Sequence, residues 1–143
     1  MTVKDVFPEN ERVERIVYVV QHFDNECTNK IIESKVDADY TVYENGGKHL
    51  WGTLHPAAPF RKGGTFQVFR LTNDPRCTGG GMTPDEFEQM LNSNYFHFYD
   101  FYVYMNKEDA ENHVKYLIED KIRELENQIK SIQHIDYIQL WKK

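Results

Sequence analysis

Tyr95-Phe96-His97-Phe98-Tyr99-Asp100-Phe101-Tyr102-Val103-Tyr104 is an almost unbroken run of aromatic side chains. Bulky rings suit a pleated, half-buried surface and lose rotamer freedom in a helix. The run predicts a central strand buried on both faces. Alternation places Tyr95, His97, Tyr99, Phe101 and Val103 on one face, and Phe96, Phe98, Asp100, Tyr102 and Tyr104 on the other. A bulky core strand explains most of these rings. Asp100 and the tyrosine hydroxyls need polar partners if buried.

The pattern changes directly after this run. Asn106 reads as a helix N-cap, with Glu108 and Asp109 in the first turn, where the helix dipole favours acids. Ala110, Val114, Leu117, Ile118, Ile122, Leu125, Ile129 and Ile132 then follow at helical spacing. Glu111/Lys115, Glu119/Arg123 and Glu126/Lys130 are four apart in the favourable order. The spacing predicts a helix over 107–133, about 40 Å long. From Ile118 to Ile132 the apolar steps are 4, 3, 4, 3, about two heptads. The far end therefore asks for a partner, either a second copy or the tail (134–143, with Tyr137, Ile138, Leu140 and Trp141) folding back.

Upstream of the run, residues 1–12 read as a loose lead-in. Arg15–Phe23 reads as a strand. Lys30–Lys35 and Ala38–Tyr43 read as two more, turning at Asp37 and Asp39. Asn45-Gly46-Gly47 is a hairpin signal, because Asn and Gly accept positive φ. His49–Leu54 is the returning strand, and His55–Gly64, rich in Pro and Gly, is a loop. Thr65–Thr72 alternates, with Phe66, Val68 and Arg70 opposite Gln67, Phe69 and Leu71. Asn73–Met82 is a loop. Thr83-Pro84-Asp85-Glu86 opens a short helix over 84–92 with a capping box. The expected fold is one α+β domain over 1–143. An N-terminal antiparallel, partly rolled β-sheet spans 14–104, and a long C-terminal helix used for oligomerisation follows it.

At 143 residues with 40% hydrophobic content, the chain suits one domain with a real core. No apolar run is long enough to span a membrane. The polar start does not resemble a signal peptide. Two cysteines, Cys27 and Cys77, make neither a disulfide framework nor a four-cysteine zinc site, which fits a reducing cytoplasm. The formal charge of −6 argues against general binding of DNA or RNA. Yet Lys48, Arg61, Lys62, Arg70 and Arg76 face only Asp74 between residues 48 and 76, a local +4 that leaves −10 elsewhere. A basic stretch in an acidic chain suits a small anion better than a long polyanion.

Gly79-Gly80-Gly81 before a helix lacks the GxxxxGK[ST] pattern of a phosphate loop, and a flexible loop explains it better. His49 and His55 have no zinc spacing, and no nucleophile with an evident base stands out. No metal, cofactor or enzymatic turnover is expected. The remaining tools are aromatic planes, arginines and a helix start, which suit a nucleotide-like ligand. Phe96 is the candidate for stacking, Asn106 for a base or phosphate contact, and Arg61, Lys62 and Arg70 for phosphate. Arg123 is a weaker candidate, since pairing with Glu119 explains it.

In its order of elements the chain resembles a known group. Ile16-Val17-Tyr18-Val19-Val20 forms the first strand, and Phe101-Tyr102-Val103-Tyr104 ends the last. Asn106-Lys107-Glu108-Asp109-Ala110-Glu111 then opens the long helix. This resembles small phage proteins, among them the anti-Thoeris sponges that sequester cyclic ADP-ribose signals. The resemblance implies a homodimer or larger assembly in the host cytoplasm, with ligand held between subunits by rings and arginines and not hydrolysed. Two other readings stand beside it: an acidic inhibitor or accessory factor acting on a host protein, and a hydrolase using His49 or His55.

Overall fold

Alternation of apolar and polar side chains builds most of the molecule. A computed structural model of the chain describes residues 1–22, 27–56, 66–74, 76, 81–99 and 101–141. The elements in order are α1 (Val3–Val6), β1 (Glu11–His22), β2 (Cys27–Val42), β3 (Lys48–His55), β4 (Gln67–Thr72), α2 (Pro84–Leu91), β5 (Tyr95–Phe98), β6 (Phe101–Tyr104) and α3 (Lys107–Trp141). The six strands form one antiparallel sheet in the order β4-β3-β2-β1-β6-β5. The sheet rolls until its two end strands face each other. The Phe69 ring on β4 lies 4.9 Å from Phe96 and 5.5 Å from Phe98 on β5. An N-terminal antiparallel, partly rolled sheet followed by a long helix is the α+β class expected.

The concave face holds the main core. Val17 and Val19 of β1, Val36, Ala38 and Tyr40 of β2, Leu50 and Leu54 of β3, and Phe101 and Val103 of β6 all point into it. Gly52 is required there for space. A Cβ at this position would sit 2.3 Å from the Asp37 carbonyl oxygen. Phe87, Met90 and Leu91 of α2 close the core from one side. The convex face carries a second cluster, in which Ala110, Val114 and Leu117 of α3 cover Val20 and Tyr104.

The turn chemistry follows the local sequence. Gly46 has φ +85°, and the Tyr43 amide donates to the Gly47 carbonyl across the β2–β3 turn. Thr83 caps α2, accepting from the Glu86 amide, while Glu86 Oε1 accepts from the Thr83 amide.

Four expectations are corrected. Residues 1–12 are no loose lead-in: Val3, Val6 and Phe7 are core residues, the Val3 amide donates to the Ser93 carbonyl, and β1 begins at Glu11. Lys30–Lys35 and Ala38–Tyr43 are not two strands. They belong to one 16-residue strand, β2. Alternation runs straight through the aspartates, with Val36, Ala38 and Tyr40 facing the core. Asp37 makes a cross-strand pair: Arg12 Nε and Nη2 donate to its two carboxylate oxygens at 2.9 and 2.8 Å.

The aromatic run is not one central strand. It is the β5–β6 hairpin, with β5 at the sheet edge and Tyr99 turning at φ +50°. The turn shifts the alternation, so Phe96, Phe98, Phe101 and Val103 share the core face. The Asp100 expectation lies outside the described residues. Finally, the helix does not end near residue 133. Helical backbone continues to Trp141, so the tail does not fold back there.

Candidate functional site

Rolling leaves a seam. β4 and β5 are the two ends of the sheet, and their phenylalanines fill the space between them, so the strands meet through side chains. A cleft of about 920 Å³ lies along this seam. One wall is Val68–Leu71 of β4, the other Tyr95–Phe98 of β5 with Tyr99, and α2 closes one side through Glu86, Gln89 and Met90. The floor is aromatic. Phe96 and Phe98 have ring centroids 6.3 Å apart, nearly parallel at 24°. The rim carries Arg70, His97 and Tyr99, all exposed. Tyr99 is 81% exposed. Its ring meets Phe98 edge-on, with centroids 6.1 Å apart, and leaves most of its surface to solvent.

The side chains near the cleft that resemble catalytic groups have other engagements. The Ser93 hydroxyl donates to the Gln89 carbonyl at 2.6 Å. Glu86 is held in the α2 capping box. His97 lies flat on Tyr102, with centroids 4.4 Å apart and planes 19° apart.

The chain matches no family model, no curated protein and no solved structure. The site therefore has to be read from its own geometry.

Of the candidate ligand residues, Arg70 and Phe96 line this cleft together. Arg70 stands on the outward face of β4, in register with Trp51 of β3. Phe96 is only 1% exposed. Its ring is packed by Phe7, Phe69 and Phe98, so it belongs to the floor and is no open stacking platform. The open ring is Tyr99; Tyr95 is 36% exposed and stacks on Tyr104. Arg61 and Lys62 lie outside the described residues.

Asn106 and Arg123 line no part of the cleft. Asn106 is the α3 cap: its Oδ1 accepts from the Asp109 amide at 2.9 Å and its Nδ2 donates to Asp109 Oδ2 at 2.7 Å. Both ends of the amide are thus engaged. Arg123 is exposed on α3, beyond the part that packs on the sheet.

The basic stretch is not one patch. Lys48 pairs with Glu88 of α2, which holds its ammonium above the usual range. Arg76 folds back on Asp74, donating through its amide, Nε and Nη2. These bonds keep the Asp74 carboxyl below its usual range, although the side chain is almost fully buried. Burial, and then the charge of Arg70, lower His49 below its ordinary 6.5. Its Nε2 has no hydrogen-bond partner among the described residues.

On the opposite, convex side of the β5–β6 hairpin lies a second groove of about 530 Å³. Sequence reading did not single it out. The available signal was Asp109, Asn112, His113 and Tyr116, spaced to share one helix face. The aromatic run gave the other wall, but only the hairpin sorts its tyrosines from its phenylalanines.

Proposed function

We propose that the chain binds a small, nucleotide-derived anion in the seam cleft between β4 and β5 and holds it without turnover. The observation that carries this reading is the cleft itself, with its aromatic floor and its rim of Arg70, His97 and Tyr99. Its size suits a small-molecule site. Tyr99 supplies a ring face for a base, and base–aromatic stacking contributes about 1–3 kcal/mol per base. Arg70 supplies a guanidinium for phosphate oxygens. The engagement of Ser93, Glu86 and His97 in packing and capping supports binding over catalysis.

Taken with the resemblance carried by Ile16–Val20 and Asn106–Glu111, the reading is sequestration of a cyclic ADP-ribose-type immune signal by a phage anti-defence protein. The test is equilibrium binding of cyclic ADP-ribose isomers and cyclic oligonucleotides, followed by heat release and chromatography. Saturable binding with intact release supports the proposal. Release of a hydrolysed product refutes sequestration. No binding at millimolar ligand refutes the site and favours the acidic protein-inhibitor reading.

Self-association belongs to the same proposal. Ile118, Ile122, Leu125, Ile129 and Ile132 form an exposed apolar stripe on α3. With Ile122 and Ile129 at heptad position a, Lys121 falls at g and Glu126 at e. In a parallel pair, Lys121 of one copy lies opposite Glu126 of the other. An antiparallel pair would instead bring Glu119 and Glu126 together. The charges therefore favour a parallel pair of copies.

A further inference from the structure

The convex groove is built from two walls. The β5–β6 hairpin presents Tyr95, Tyr102 and Tyr104. Tyr95 stacks on Tyr104 with centroids 5.2 Å apart and planes 28° apart, and lies 6.1 Å from Tyr102. The facing wall is α3. His113 stands nearly perpendicular to the tyrosines, 4.6 Å and 83° from Tyr102, and its Nδ1 is 2.7 Å from the Tyr104 hydroxyl. One turn earlier on the same face lies Asp109, and nearly one turn later Tyr116, which is 59% exposed. Burial pushes the Tyr104 hydroxyl up to about 12, with Tyr95 and then Asp109 contributing, so this hydroxyl stays neutral at ordinary pH.

Among the described residues lining the groove, Asp109 is the only side chain with a permanent charge near neutrality, and no lysine or arginine is present. Asn106 Nδ2 donates to its Oδ2 and fixes its position. Tyrosine ring faces carry negative quadrupole density. A groove of ring faces with one carboxylate repels anions and attracts cations. A small hydrated metal ion gains little here, because rings cannot replace its oxygen ligands. An alkylated ammonium has a spread charge, weak hydration and no need for hydrogen-bond acceptors, and aromatic walls suit it.

We propose that this groove binds an organic ammonium group, a quaternary or methylated amine, against Tyr95 and Tyr116 with Asp109 as counter-ion. The site is separate from the nucleotide proposal, since only Tyr95 lines both clefts.

The test is calorimetric titration of the full chain with choline and with its neutral carbon isostere, 3,3-dimethylbutan-1-ol. Saturable choline binding is expected, about tenfold tighter than the isostere. Tyr116→Ala and Asp109→Asn should each weaken choline by about fivefold or more, with circular dichroism unchanged. Tyr116→Phe should retain binding, because the ring face is kept. Equal affinity for choline and the isostere overturns the proposal, as the groove would then be merely apolar. No choline binding at tens of millimolar overturns it too. So does choline binding indifferent to both Tyr116→Ala and Asp109→Asn.

Discussion

Phe96→Ala separates a core ring from a ligand platform. Phe96 is 1% exposed and touches Phe7, Phe69 and Phe98 at centroid distances of 6.3, 4.9 and 6.3 Å. Truncation removes the ring's burial and leaves a void among stiff aromatic neighbours, which collapse poorly. Substitutions of this type cost about 3–5 kcal/mol. That is a large part of the about 5–15 kcal/mol that holds a domain folded. For a chain of this length each kcal/mol lowers Tm by about 3–4 °C, so the expected drop is at least about 10 °C. Differential scanning calorimetry reads it directly, and guanidinium melts give the same ordering through Cm. Tyr99→Ala, at an exposed ring, is the control and should change stability by less than about 0.5 kcal/mol. A Phe96→Ala protein that melts within about 2 °C of the parent yet loses nucleotide binding would refute the packing argument and restore Phe96 as a stacking platform.

Other outcomes follow from the same structure. Arg70→Ala and Tyr99→Ala should each weaken nucleotide binding by about tenfold in equilibrium dialysis, with the melting curve kept. Tyr99→Gly should be stability-neutral within about 1 kcal/mol in chemical melts, because relief of left-handed strain offsets the added chain entropy. Gly52→Ala should cost more than about 3 kcal/mol or abolish soluble expression, since the new Cβ would collide with the β2 backbone rather than with a movable side chain.

His49 gives a pH dependence with a definite sign. Its folded value lies below the unfolded 6.5, so the unfolded chain binds more protons in that window, and stability falls as pH drops below about 6.5. Urea melts at pH 7.5 and 5.5 should show this fall, and His49→Gln should flatten it. Ile122→Glu should abolish concentration-dependent association in sedimentation velocity without changing the fold, because Ile122 is exposed on the monomer.

The candidate site was only partly legible. Arg70 and Phe96 were chosen for their chemistry and do line one cleft, but their roles divide: one stands on the rim, the other in the floor. Asn106 carries a capping signal, and its two hydrogen bonds to Asp109 show a cap at work. The groove of Tyr95, Tyr102, Tyr104 and His113 was not legible, because its walls come from separate elements on one side of a rolled sheet.

Features that rest on a few neighbouring residues could be read from the sequence alone. The Asn45-Gly46-Gly47 turn, the Thr83–Glu86 capping box, the alternation of β4 and the helical spacing of α3 each depend on local backbone preference and side-chain period. The tertiary structure decided what required partners distant in the chain. Asp37 stays within a strand because Arg12 answers it from 25 residues away. The lead-in became core because Phe7 found Phe96. The aromatic run folded into an edge hairpin because four of its ten residues could share the concave face only if the chain turned at Tyr99. The cleft exists because the sheet rolls until bulky rings on its end strands meet before the strands themselves can pair.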